Sequence, residues 1–259
     1  MSFISGTRGV LIFFLVNAAI MLFHLYLATK GKKFPIRRIA GLDAIEEAVG
    51  RCTEMGKPCF FTLGSNRAVL VGDMATQTVA GISILGYIAR LTAKQDTTLR
   101  CFLMNTESYP LMADTVSSSY AAEGKADKYN PNDMFIWAVG GTTQKIAGEI
   151  GRQRPGAHFI MGPAGGESIM FTEIGAQVGA IQVAASARQI SIAHLVFTCD
   201  YVLLMEELFA AGAYVSNDAT QICFLRAQDI GRFILLGLLV IGVVLQAAGS
   251  KAMVNFLTW

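Results

Sequence analysis

Residues 158–186, HFIMGPAGGESIMFTEIGAQVGAIQVAAS, carry the reading that decides the fold. The apolar run from His158 to Met161 reads as a buried strand entering a turn built from Gly162, Pro163, Gly165 and Gly166. A helix is expected from Glu167 to near Gly179, and a second apolar strand follows it. Strand, glycine turn, helix, glycine turn and strand make one βαβ unit. Its glycines fall at the strand end, where open α/β sheets usually keep a ligand crevice.

The same alternation extends outward in both directions. On the N-terminal side, Met134–Val139 reads as a strand ending in Gly140, Gly141, Thr142 and Thr143, with a helix over Gln144–Gln153 after it. Leu99–Met104 is a strand before a helix from about Pro110 to Glu123, and Pro58–Leu63 is a strand before the turn Gly64, Ser65, Asn66, Arg67. Thr76–Ala93 is a long helix with Val79, Ile82, Leu85, Ile88 and Leu91 on its apolar face and the small residues Ala80, Gly81, Ser83 and Gly86 on its other sides, which permit close approach. LDAIEEAVGRCTEMG has Leu42, Ile45, Val49 and Cys52 at helical spacing, acidic residues in its first turn and Gly56 at its end. On the C-terminal side, Ala187–His194 is a short helix or turn, and Val196–Leu204 is a sixth strand ending at Glu206 and Glu207. This pattern predicts an α/β domain over residues 41–229, with a mainly parallel, Rossmann-like doubly wound sheet of about six strands.

Both ends are more apolar than the middle. Gly9–Ala28 runs for about 20 residues without a charge, the length of a transmembrane helix. Phe233–Ala248, extended by Ile230 and Gly231 across Arg232, reads as a second one, and nothing from Ala219 to Ala248 forbids one continuous helix. Ser216, Asn217 and Asp218 have cap character before it. Lys30, Lys32, Lys33, Arg37, Arg38, Arg226 and Arg232 outweigh Arg8 and Lys251, so the positive-inside rule puts the folded domain in the cytoplasm and both termini outside. The expected layout is an external tail at 1–8, a span at 9–29, a basic linker at 30–40, the domain, a second span at 230–249 and an external tail at 250–259, in the cell (inner) membrane. Phe256 and Trp259 suit an outer aromatic belt, with membrane lipid as the immediate partner. Asn17 and His24 are the expected membrane-helix contacts, Asn17 through an interhelical hydrogen bond that implies a second copy or a partner subunit.

Composition removes several function classes. A net charge of +2 with no basic run interleaved with aromatics excludes a nucleic-acid interface. The five cysteines, Cys52, Cys59, Cys101, Cys199 and Cys223, have no CxxC spacing and no histidine at ligand distance, so they read as reduced core residues and no metal site is expected.

The candidate ligand residues are the three strand-end turns: Gly64, Ser65, Asn66 and Arg67; Gly140, Gly141 and Thr142; Gly162, Gly165, Gly166 and Glu167. In a parallel sheet these gather on one edge, where backbone N–H groups beside helix N-termini hold anions. The third turn, GPAGGE, matches neither GxGxxG nor a Walker loop, and Glu167 repels phosphate unless a metal or Arg67 intervenes. Glu167, Glu173, Asp200, Glu206 and Glu207 form a carboxylate set that suits Mg²⁺ or acid–base work, though acidic helix starts explain them equally well. Neither His158 nor His194 stands in a GxSxG, papain-like or HExxH setting. No cofactor is expected.

The segments GLDAIEEAVGRCTEMGKP, TVAGISILGYIARLTAKQDT, KYNPNDM, MGPAGGESIMFTEIGAQVGAIQVAAS and CDYVLLMEELFAAGAYVSND together resemble a family of prokaryotic membrane-anchored proteins built on a domain of unknown function, over about Gly41 to Asp229. The resemblance implies a membrane-anchored α/β domain and brings no catalytic residues with it. The expected function is a non-enzymatic structural or scaffold subunit that self-associates or packs with a larger membrane complex. The alternatives are a nucleotide- or small-anion-binding sensor built on the glycine turns and, behind it, a metal-dependent enzyme using Glu167, Glu173 or Asp200.

Overall fold

A computed structural model describes residues 8–30, 40–64, 68–139 and 141–248. The chain forms two compact units, one of Met1–Ile36 with Asp218–Trp259 and the other of Arg37–Asn217. The tails, the basic linker, Ser65, Asn66, Arg67 and Gly140 lie outside the described residues, as does the side chain of Thr142.

The larger unit is α/β. Its strands are β1 (Cys59–Thr62), β2 (Leu99–Leu103), β3 (Phe135–Trp137), β4 (Ala157–Met161), β5 (Ile181–Ser186) and β6 (Tyr201–Leu204). They form a six-stranded sheet in the order β3-β2-β1-β4-β5-β6, with every pairing parallel. The first helix of the chain is α1 (Arg8–Thr29), in the smaller unit; the helices of the larger unit are α2 (Ala40–Met55), α3 (Ala75–Lys94), α4 (Tyr109–Ala122), α5 (Pro131–Met134), α6 (Thr142–Gln153), α7 (Ser168–Gln177), α8 (Gln189–Thr198) and α9 (Glu206–Ser216).

Strand residues alternate between two cores because successive side chains leave opposite faces of a sheet. Phe61, Cys101, Phe159, Val183 and Leu203 meet α2, α3, α4 and α9 on one face. Phe60, Phe102, Ile160 and Ala184 meet α6, α7 and α8 on the other. Cys52, Cys59, Cys101 and Cys223 are buried free thiols and Cys199 is half-buried, as expected of reduced core cysteines.

The small residues of α3 set how closely its neighbours approach. A Cβ on Gly81 would stand 2.8 Å from the Met161 carbonyl oxygen, one on Gly212 of α9 would stand 3.2 Å from Ala80 Cα, and one on Gly86 would stand 3.0 Å from Thr115 Cγ2 of α4. The expected apolar face holds at Ile82, Leu85 and Ile88 and is widened rather than replaced: Ala80 and Gly81 are buried beside it, and of its expected members Val79 is exposed. A second departure concerns 196–204. Val196, Phe197 and Thr198 belong to α8, and only Tyr201–Leu204 is strand. Local β-propensity favours a strand there, but Ser191 and Leu195 bury one helical face against the sheet and override it.

A buried polar row crosses the sheet centre. His158 Nε2 lies 2.7 Å from Thr62 Oγ1. On its other side His158 is in register with Gln182, yet His158 Nδ1 and Gln182 Oε1 are both buried without a hydrogen-bond partner. The Gln182 amide nitrogen donates to the carbonyls of Thr172 (2.7 Å) and Thr198 (2.8 Å), joining β5 to the helices above it.

In the smaller unit α1 packs on α10 (Ala219–Ala247), which starts at an Asp218 cap accepting from Thr220 N at 2.8 Å. Asn17 donates to Phe13 O at 2.9 Å and lays its carbonyl oxygen against Gly231, and Cys223 Sγ donates to His24 O at 3.3 Å. The two helices therefore run antiparallel. Asn17 meets a helix of its own chain, so its contact no longer requires a second copy. Arg226 and Asp229 fall in height between these two contacts, alongside the apolar middle of α1 rather than beyond its end.

Among the described residues one helix, Thr220–Ala247, is long and apolar enough to cross a membrane, while the described apolar stretch Leu11–Leu27 of α1 is shorter. The expectation of two flanking transmembrane helices is met at this level by the C-terminal one alone.

Burial holds the His158 pKa at about 3, against an ordinary 6.5. Between these values the unfolded chain binds a proton that the folded chain refuses, so stability rises with pH and is lost as pH falls through the window. The loss should be up to about 1.4 kcal/mol per pH unit from this group. Thermal melts from pH 7 to pH 5 should show a steeper decline for the wild type than for His158→Gln; parallel declines would refute the assignment.

Candidate functional site

The order of the sheet reverses between β1 and β4, so a doubly wound sheet would place its ligand crevice at the C-terminal ends of these two strands. Gly64 follows β1 there, and Gly162 and Pro163 follow β4. Gly64 has φ +65°, and a Cβ on it would stand 2.7 Å from the Pro163 carbonyl carbon. The two loops thus touch backbone to backbone, and the crevice is closed at that point.

Neighbouring loops are tied to the same place. Asn105, after β2, donates to Ala68 O after β1 at 2.7 Å, and Ala187 N, after β5, donates to Gln77 Oε1 of α3 at 3.3 Å. Gly162, with φ +118°, donates its N–H to Ala185 O at 2.8 Å. Ala164 O accepts from Arg188 Nη1 at 2.9 Å and from Ser191 Oγ. Several of the polar groups that would receive an anion or nucleotide are already engaged within the protein.

Of the predicted turn residues, the fold brings Gly64 and the Gly162–Pro163 turn together. Gly141 does not join them, because β3 is the edge strand on the far side of β2, and Gly141 stands in open space at the start of α6. Gly165 is buried with the Glu167 carboxylate folded against it, so the protein's own acid lies where an anion would have to approach. Gly166 is exposed with nothing near it. The acidic residues do not gather. Asp200 accepts from Gln182 N at 2.8 Å, Glu207 accepts from Leu204 N at 2.9 Å, and no group of three potential metal ligands occurs among the described residues.

One pairing was missed in the sequence. Ser168, at the start of α7, lies 2.6 Å from His194 Nε2 of α8. No local motif links residues 26 positions apart; only the packing of α7 on α8 does. Its chemistry is that of a structural tie. The Ser168 hydroxyl also donates to Gly165 O at 2.7 Å, a bond that competes with any donation to His194 Nε2. A nucleophilic serine needs that nitrogen as a base. Ser168 is also fully buried, and burial lowers the His194 pKa, with the Ile190 carbonyl and Glu167 opposing that shift.

Two cavities, of about 420 and 250 Å³, lie at the opposite, N-terminal edge of the sheet. Both include Asp96, which Lys125 and Lys128 bind at 2.8 and 2.5 Å and hold at a pKa of about 2.

A family model described as a domain of unknown function, DUF6754, matches residues 2–257. No curated protein and no solved structure matches the chain.

Gly64→Ala should cost about 1–3 kcal/mol, since it combines a left-handed backbone with a backbone clash, whereas Gly166→Ala should stay within about 0.5 kcal/mol of wild type. Melting curves of the two variants compare them directly, and equal stabilities would contradict the closed crevice. For Ser168, Ser168→Ala should cost about 1–2 kcal/mol. The full chain should also resist labelling by a fluorophosphonate probe; labelling that Ser168→Ala abolishes would show a reactive serine.

Proposed function

We propose that this chain, which belongs to the DUF6754 family, is a membrane-anchored, non-enzymatic scaffold subunit that self-associates or packs with a larger membrane complex. Both α1 and α10 cross the inner membrane, with the α/β domain in the cytoplasm and the two termini outside.

The observation that carries this reading is the exposed apolar surface of the α1–α10 pair. The most apolar window of Thr220–Ala247 has a mean hydropathy of 2.2 and is 6% buried. Phe14, Leu22 and Phe23 of α1 and Phe233, Leu239 and Val243 of α10 are each at least 58% exposed. So much contiguous apolar surface is expected against lipid and not against water. The basic run Lys30, Lys32, Lys33, Arg37 and Arg38 supports the orientation.

The closed crevice at Gly64 and Pro163 and the inward-turned hydroxyl of Ser168 weigh towards scaffold over sensor or enzyme.

The chain should remain in the membrane pellet through an alkaline carbonate wash. In mild detergent its protein mass should exceed the 27.8 kDa of one copy. Release by the wash would sink the anchor, and a partner-free monomer across the accessible concentration range would sink the scaffold.

A further inference from the structure

We infer that the outer face of α8 is a contact between two copies of this chain. The inference rests on the scaffold reading and gives it a surface. In α8, QISIAHLVFT, Ser191 and Leu195 face the core and His194 reaches Ser168, while Ile190, Ala193, Val196 and Phe197 turn outward. Phe197 is 90% exposed and Ile190 67% exposed. Beside them runs β6, the edge strand of the sheet, whose Leu204 leaves the same sheet face as α8 and is 40% exposed. An outer helix face that stays apolar when the inner face is already packed calls for a second surface to cover it.

Three features select a second copy as the cover. Area is the first: at roughly 200 Å² per large side chain, the exposed parts of Ile190, Val196, Phe197 and Leu204 amount to on the order of 500 Å² per copy. A pair would bury about 1,000 Å², the lower end for a specific interface. That suffices for copies confined to one membrane, where effective concentration is high.

Shape is the second. The stripe reads large, small, large, with Ile190 three residues before Ala193 and Phe197 four residues after it. An antiparallel crossing centred on Ala193 sets the two alanines together and Ile190 of each copy beside Phe197 of the other. A twofold interface demands this self-complementarity.

Charge is the third. The polar positions of α8 carry no Lys or Arg, and Asp200, Glu206 and Glu207 stand at the ends of β6. An interfacial helix on an anionic bilayer carries basic residues instead. Edge-to-edge strand pairing is also disfavoured, because Met205, with φ +48°, ends the strand and Glu207 covers the Leu204 N–H.

The test uses the full chain in mild detergent and in liposomes. Phe197→Glu should raise the concentration of half-dissociation by at least about tenfold, because Phe197 is the central anchor of the contact. Ala193→Cys should give an intermolecular disulfide under a mild copper–phenanthroline oxidant, where the wild type with its native cysteines gives none. A Phe197→Glu chain that self-associates like the wild type, or an Ala193→Cys chain that gives no cross-link, overturns the α8 contact and leaves the scaffold standing. Quenching of a fluorophore on Ala193→Cys by brominated lipid tails places the stripe against the bilayer and likewise overturns the contact. A wild type that is monomeric throughout overturns both.

Discussion

The approach of Gly64 to the Pro163 backbone is the constraint on which the larger unit turns. It joins the loop after β1 to the loop after β4, the two strands at which the sheet reverses its order. Only a residue without a Cβ fits, because the Gly64 backbone is left-handed and the atoms facing it are main chain that cannot swing aside. Gly81 repeats the requirement one layer away, where α3 comes to rest on the Met161 carbonyl. Two absent side chains therefore set the height of α3 over the sheet and close the position where this architecture most often binds a ligand.

The polar groups of the interior follow the same logic. Thr62, His158 and Gln182 lie on three adjacent strands; Thr62 meets His158 Nε2, and the Gln182 amide nitrogen donates to the carbonyls of Thr172 and Thr198, while His158 Nδ1 and Gln182 Oε1 stay unpartnered. A one-residue slip of any of these strands would turn its polar member to the opposite face and strand the others, so the row specifies register as well as filling space. Ser168 and His194 do for the helix layer what His158 does for the sheet: they tie α7 to α8 across a buried boundary.

What was legible in the chain follows physical range. The 158–186 stretch announced strand, turn and helix because buried strands, glycines with positive φ and helix starts all act over a few residues, and the parallel sheet followed from their repetition. Val196–Thr198 misled because β-branched and aromatic residues favour strands locally, while burial of Ser191 and Leu195 against the sheet decided for helix. Gly165 and Gly166 read as an anion cradle by composition, yet neither has the positive φ that would require glycine, and the Glu167 carboxylate sits over the first. The pairing of Ser168 with His194 had no local signal at all. The neighbour of Asn17 is Gly231 of the same chain, a contact that depends on the register of two helices nearly the whole sequence apart and so leaves no local signal.

The position of β1 bears on how the domain is made. Its partner β4 arrives late, and Thr62 meets His158 across 96 positions of sequence. A nascent chain that has emerged only as far as β3 has β1 as an open edge, with unpaired backbone groups along the apolar run Cys59, Phe60 and Phe61 and on to Thr62. Closing the centre of the sheet waits on a long loop, which slows folding and leaves a sticky intermediate. A strand that ends fully buried is therefore the one most in need of protection while the ribosome is still at work.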